Sequence, residues 1–270
     1  MDTTINKENI VEKITNCVQN KIPICYSKYG DGEYICANYG TMPECGNANC
    51  DNDPYTNAKK EGIINSFQYI VNNLDNVYIG AWETENVTKY WKTLVDENKI
   101  KWANYHTFII GDEDFGTDQL EKKVTMYKAI QTSTLKKIMV CNPLLTKSKD
   151  LFKADVMVYV PLNNWFDQYY ENIVNKIKSE INIGEQPIIL TACGMGAKIL
   201  ISDLAKLYPN GIFLDIGSAT DYICTTCDTR GRKYNYEDLC KIFKDILPED
   251  WHDSKYYNLY ANARNHLRCM

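Results

Sequence analysis

Short apolar runs rich in β-branched residues alternate with longer amphipathic runs along most of this 270-residue chain. Residues 22–29, Val77–Trp82, Thr107–Gly111, Lys137–Cys141, Val156–Val160, Pro187–Thr191 and Gly211–Ile216 read as strands. Helical spacing marks about 57–74, 86–98, 117–131, 163–181 and 196–207 between them, with an opening helix from Asn6 to about Asn20 and a further one beginning near Tyr34. In the helix at 163–181, Trp165, Phe166, Tyr169, Tyr170, Val174, Ile177 and Ile181 share one face, behind Asn163 or Asn164 as a cap. Strands alternating with helices predict a mostly parallel, Rossmann-like α/β sheet covered by helices on both faces. No repeat or long linker divides the chain, so one domain over 1–270 is expected, with a helical and aromatic extension at about 226–270.

Composition narrows the function classes. A formal net charge of -5 without a Lys/Arg run argues against nucleic-acid binding and against a basic membrane-surface footprint. No window approaches the roughly 18 apolar residues of a membrane span, and no apolar stretch follows Met1, so a cytoplasmic protein is expected. Eleven cysteines without a paired framework point to reduced thiols. Cys224-Thr-Thr-Cys227 is the nearest approach to a zinc knuckle, and it lacks a matching second pair. The histidines His106, His252 and His266 have no metal-pair spacing. Oligomeric state is not legible.

In an open α/β sheet, ligands bind beyond the carboxyl ends of the strands. The residues that follow the predicted strands are therefore the candidate site. They include Gly30-Asp31-Gly32-Glu33, Gly111-Asp112-Glu113-Asp114, Asn163-Asn164-Trp165, Gly194-Met195-Gly196 and Gly217-Ser218 with Asp221. Asp31 and Glu33 can serve a divalent cation, or the segment can be a solvated glycine turn. Likewise, Gly194–Lys198 can cradle phosphate at a helix start or simply form a tight strand-to-helix turn, with Lys198 a phosphate ligand or a solvated helix residue. It lacks the endings of a dinucleotide fingerprint or a P-loop.

Three ordered blocks resemble the GT-D-type glycosyltransferases, a family first grouped as a domain of unknown function. They are Lys28-Tyr29-Gly30-Asp31-Gly32-Glu33, the strand end Val158–Trp165, and Ile189–Lys198 running into Leu214-Asp215-Ile216-Gly217-Ser218 and Asp221. The resemblance implies a nucleotide-sugar donor (typically a UDP-sugar), a glycan hydroxyl as acceptor, hexosyl transfer, and Mn2+ or Mg2+. Asp31 and Glu33 carry over as the metal and diphosphate pair, with Gly30 and Gly32 in the same turn and Gly194, Gly196, Lys198 and Asn163 toward the nucleotide. Some members place His after Asp-Ile-Gly, where this chain has Ser218. A hydroxyl is a weaker ligand than imidazole for such an ion, so either water or another acid, with Asp221 the nearest, completes the shell, or metal binding is weak. Asp112, Glu113 or Asp114 would deprotonate the acceptor in an inverting reaction. The alternatives are another nucleotide-using Rossmann transferase, such as a methyltransferase, and a non-catalytic carbohydrate- or nucleotide-binding protein.

Overall fold

The computed structural model describes residues 6–39, 46–49, 51–111, 118–225, 243, 244 and 246. Its centre is one parallel sheet of seven strands: β1 (Ile24–Tyr29), β2 (Val77–Ala81), β3 (Trp102–Asn104), β4 (Lys136–Cys141), β5 (Val156–Tyr159), β6 (Pro187–Ala192) and β7 (Ile212–Asp215). They lie in the order β3-β2-β1-β7-β6-β4-β5. The helices are α1 (Val11–Gln19), α2 (Asp31–Asn38), α3 (Asn57–Asn73), α4 (Glu85–Lys92), α5 (Asp118–Thr132), α6 (Ser148–Phe152), α7 (Trp165–Glu180), α8 (Gly196–Leu207) and α9 (Asp221–Thr225).

Both faces of the sheet are covered, which is why its strands read as nearly unbroken apolar runs. Alternate residues enter opposite cores. Ile188, Leu190, Ile212 and Leu214 face one core with α1, α5 and α6, whereas Ile189 and Phe213 face the other with α2, α3, α4, α7 and α8. Each such side chain, fully withdrawn from water, contributes about 1.5–3 kcal/mol.

The right-handed crossover rule accounts for which helices lie where. The steps β1→β2, β2→β3, β5→β6 and β6→β7 run one way along the sheet and put α2, α3, α4, α7 and α8 on one face. Steps β3→β4 and β4→β5 run the other way and put α5 and α6 on the opposite face. Strand β1 lies between β2 and β7, and the neighbours β1 and β7 send the chain to opposite faces, since α2 packs in one core and α9 in the other. That is where an open sheet leaves a crevice at its carboxyl edge.

Several elements differ from the sequence reading. Thr107–Gly111 is not a strand. The edge strand lies earlier, at Trp102–Asn104, where Ala103 and Asn104 pair with Gly80 and Ala81. Thr107 turns back on the Asn104 carbonyl, and side chains satisfy the next carbonyls: Tyr127 Oη donates to Phe108 O at 2.9 Å and Lys123 Nζ to Ile109 O. The opening helix begins at Val11, where Asn9 Oδ1 accepts the Val11 N–H at 3.2 Å, rather than at Asn6. The expected helix at 86–98 ends at Lys92, and a separate 3-10 turn spans Glu97–Lys99. The helix expected from Tyr34 begins at Asp31, so the two motif acids belong to its first turn and not to a free loop. No helix among the described residues is long and apolar enough to cross a membrane. Six described cysteines, Cys17, Cys25, Cys36, Cys141, Cys193 and Cys224, are buried free thiols.

Candidate active site

The carboxyl ends of β1, β6 and β7 bring three parts of the chain together around one buried ammonium. Glycine at 30 ends β1 and is the N-cap of α2, which makes Asp31 the first helical residue and Glu33 the third. Acids in a first turn complement the exposed N–H groups and the positive end of the helix dipole. Glu33 reaches back to accept the Gly30 N–H at 2.9 Å through Oε2. Its other oxygen, Oε1, lies 2.8 Å from Lys198 Nζ, and Asp215 Oδ2 lies 2.9 Å from the same ammonium. Glu33, Lys198 and Asp215 are all buried, whereas Asp31 is exposed and its Oδ1 accepts the Gly32 N–H at 2.9 Å.

Lys198 owes its place to the β6–α8 turn, and Asp215 to the end of β7, where it sits in register with Thr191. Burial disfavours the ammonium, but Asp215 and then Glu33 outweigh that cost and hold its pKa well above the ordinary lysine value. The other oxygen of Asp215, Oδ1, is buried without a hydrogen-bond partner. Lys28, inside the fully buried strand β1, donates its backbone N–H to Asp215 Oδ2 at 3.1 Å and its ammonium to Ile216 O at 3.1 Å. That ammonium also lies 5.1 Å from the centre of the Tyr105 ring. Gly217 has φ +53°, and a side chain there would run into Lys28 Nζ, so the glycine of Asp215-Ile216-Gly217 makes room for this lysine.

A second buried ion pair frames the same edge. Asp53, on the segment that returns after α2, accepts from Lys59 Nζ at 2.7 Å and from the Asn164 N–H at 3.2 Å through Oδ1. Lys59 is 0% exposed and also donates to Pro54 O at 2.7 Å. Burial raises the Asp53 pKa, against the opposing pull of Lys59. Asp53 thus ties the segment before α3 to the start of α7. Trp165 completes the frame, donating Nε1–H to Cys193 O at 2.7 Å.

In sequence, no family model and no curated protein matches this chain. In structure, three solved chains match it over 93% of its length. One is described as a new glycosyltransferase (DUF1792) from Streptococcus sanguinis, with a TM-score of 0.55, 15% identity and 96% of that chain covered. A second is described as the highly conserved domain of unknown function 1792 with a distinct glycosyltransferase fold, at TM-score 0.52, 13% identity and 92% coverage of that chain. A selenomethionine-substituted structure of the same domain gives TM-score 0.52 at 14% identity, again over 92% of that chain. The chain has the DUF1792 fold.

Within the DUF1792 fold, the residues singled out from sequence fall into distinct places. Asp31 and Glu33 stand together at the end of β1, with Gly30 as the cap and Gly32 half-buried. Gly194 is exposed in the β6–α8 turn with φ +70°. Gly196 is buried beneath Trp165, where a Cβ would lie 2.6 Å from the indole ring, so close packing accounts for this glycine. Lys198 is neither solvated nor pointing outward, because it lies inside the carboxylate pair. Asn163 is exposed just ahead of α7, and Ser218 is half-buried in the 3-10 turn Gly217–Thr220. Asp221 is buried at the start of α9. The expected metal trio of Asp31, Glu33 and Asp221 does not form a ready-made cluster. Among the described residues, no three His, Cys, Asp or Glu side chains group in a way that could hold a metal ion, and both Glu33 oxygens already accept from protein donors. Asp112, Glu113, Asp114 and Cys227 lie outside the described residues.

Sequence reasoning did not find the Asp53–Lys59 pair or the link from Lys198 to Asp215. A signal for the first existed. Lys59 occupies the same helical stripe as Ile63, Phe67 and Ile70, all buried, and a lysine on an apolar stripe needs a partner.

Proposed function

We propose that this protein is a glycosyltransferase that moves a hexosyl group from a nucleotide-sugar, a UDP-sugar, to a hydroxyl of a glycan acceptor. The observation that carries the reading is the exposed carboxylate of Asp31 at the first turn of α2, backed by the buried Glu33–Lys198–Asp215 network, at the carboxyl edge where neighbouring β1 and β7 send the chain to opposite faces. The DUF1792 fold, shared with a chain described as a glycosyltransferase, supports it.

The oxygen donors suit a hard cation such as Mn2+ or Mg2+ carried with a diphosphate. Such ions are commonly bound through one or two carboxylates together with substrate phosphates. Asp31 would hold it, and Asp215 Oδ1, buried without a hydrogen-bond partner, is further acceptor capacity at the carboxyl edge of the sheet. The bound cation supplies charge neutralisation for the departing nucleoside diphosphate. Glu33 acts as a positioning residue that fixes the Asp31 turn and Lys198. Proton removal from the acceptor is assigned to the acidic run Asp112-Glu113-Asp114. The protein would work in the cytoplasm.

Thermal-shift measurements with UDP, UDP-sugars and S-adenosylmethionine test the ligand class, because a ligand that binds only the folded state raises the midpoint. The reading predicts a rise with UDP compounds. A rise with S-adenosylmethionine alone would replace sugar transfer with methyl transfer.

A further inference from the structure

We propose that the rings of Trp82, Tyr105 and His106, with the Glu83 carboxylate at their rim, form a subsite for a sugar ring of the acceptor, on the β2–β3 side of Asp31. The inference rests on the nucleotide-sugar reading above and adds where the second substrate sits.

The two sides of Asp31 differ in chemistry. Toward β7 and β6 the carboxyl edge carries Gly194 and Gly217, both with positive φ, and the start of the 12-residue helix α8, whose N–H groups favour an anion. Toward β2 and β3 the residues that follow the strands are Trp82-Glu83-Thr84-Glu85-Asn86 and Tyr105-His106-Thr107-Phe108. They include no lysine or arginine, and Glu83 and Glu85 are exposed. Such an edge repels a diphosphate but not a neutral sugar.

The rings stand together. The centres of Trp82 and Tyr105 lie 4.6 Å apart at 80°, those of Tyr105 and His106 5.4 Å apart at 80°, and those of Trp82 and His106 6.4 Å apart at 54°. All three are half-buried, so each is held in place and keeps part of its surface open. Tyr105 connects them to the site, because its Oη lies 2.6 Å from where a Cβ would stand on Gly30, the residue before Asp31. Burial and then the nearby Glu33 charge raise its pKa, so it remains a hydroxyl at neutral pH. At the rim, Glu83 Oε1 lies 3.6 Å from His106 Nε2, and 74% of the Glu83 side chain is exposed. Ring surfaces with a few polar groups beside them match a hexose, whose C–H faces need apolar cover and whose hydroxyls need hydrogen-bond partners.

The experiment is calorimetric titration of the full chain with cellobiose, maltose, lactose and N,N′-diacetylchitobiose, each with and without UDP, and with UDP alone. Wild type is expected to bind at least one of these disaccharides. Trp82→Ala is expected to weaken that disaccharide at least about tenfold while UDP affinity stays within about twofold, and Trp82→Phe, which keeps a ring, is expected to recover part of the loss. Glu83→Ala, at an exposed position, is expected to weaken the same disaccharide about threefold or more, and it decides the matter even if Trp82→Ala does not fold. Wild type that binds UDP but none of the disaccharides overturns the inference and leaves the nucleotide-sugar reading standing. Disaccharide affinity unchanged in both Trp82→Ala and Glu83→Ala overturns it as well. So does a folded Trp82→Ala protein that loses UDP rather than the disaccharide, which assigns the rings to the nucleotide. Disaccharide binding that is lost in Trp82→Ala, in a protein that never binds UDP, upholds the sugar subsite and removes the nucleotide-sugar reading.

Discussion

Lys198 and Glu33 each occupy the third position of a helix, α8 and α2, and meet at 2.8 Å across the carboxyl edge of the sheet. The contact joins segments 165 residues apart and is buried on both sides. Removing the ammonium leaves Glu33 and Asp215 without their shared cation. Lys198→Met is therefore expected to lose about 3–5 kcal/mol of unfolding free energy in urea titrations.

The same contact sets an alkaline limit. Because Asp215 and Glu33 raise the Lys198 pKa in the folded state, its contribution is complete below the unfolded lysine value of about 10.4. It declines as pH rises from there toward the raised folded value. The stability difference between wild type and Lys198→Met should be constant at neutral pH and narrow above about pH 10.4. A difference that widens with alkalinity would contradict the assignment.

Asp53 and Lys59 test a different kind of burial. Asp53→Ala leaves a fully buried ammonium with Asp167 at 3.6 Å and the Pro54 carbonyl, and it also frees the Asn164 N–H. A loss of about 3–5 kcal/mol is expected. Replacing both partners with apolar residues, as in Asp53→Leu with Lys59→Met, should cost much less than Asp53→Ala, because no unpaired charge remains. Chemical denaturation of the three proteins gives the comparison.

Much of this fold was legible in the sequence because both faces of the sheet are covered. Runs such as Pro187–Ala192 and Ile212–Asp215 announce themselves as short apolar strands, and α3, α5, α7 and α8 follow from their spacing. Strand β3 did not show because three residues give no usable period. Thr107–Ile110 mimicked a strand by composition, although side chains from α5 take its carbonyls. Within the site, the two acids and the glycines could be named, but the role of Lys198 could not. A lysine after a glycine turn reads the same whether it faces water, phosphate or a carboxylate pair, and only tertiary contact with Glu33 and Asp215 decides among them.

Gly217 and Gly184 form a natural control for the Lys28 contact. Both have positive φ, +53° and +82°, so alanine is strained at either. At Gly184 a Cβ meets nothing within 4 Å, whereas at Gly217 it collides with Lys28 Nζ. Gly184→Ala should cost about 1–2 kcal/mol and Gly217→Ala more, by thermal or urea unfolding. Equal losses would mean that Lys28 yields freely.

Asp31 presents the donor diphosphate site in the proposed glycosyltransferase reading. Its most direct test is release of UDP from a panel of UDP-sugars by the full chain with Mn2+, comparing wild type with Asp31→Asn. Turnover of at least one donor by wild type is expected, with a fall of about a hundredfold or more in Asp31→Asn, the order that follows when a group that stabilises transition-state charge is removed. Equal turnover by the two proteins, or none with any donor, would contradict it.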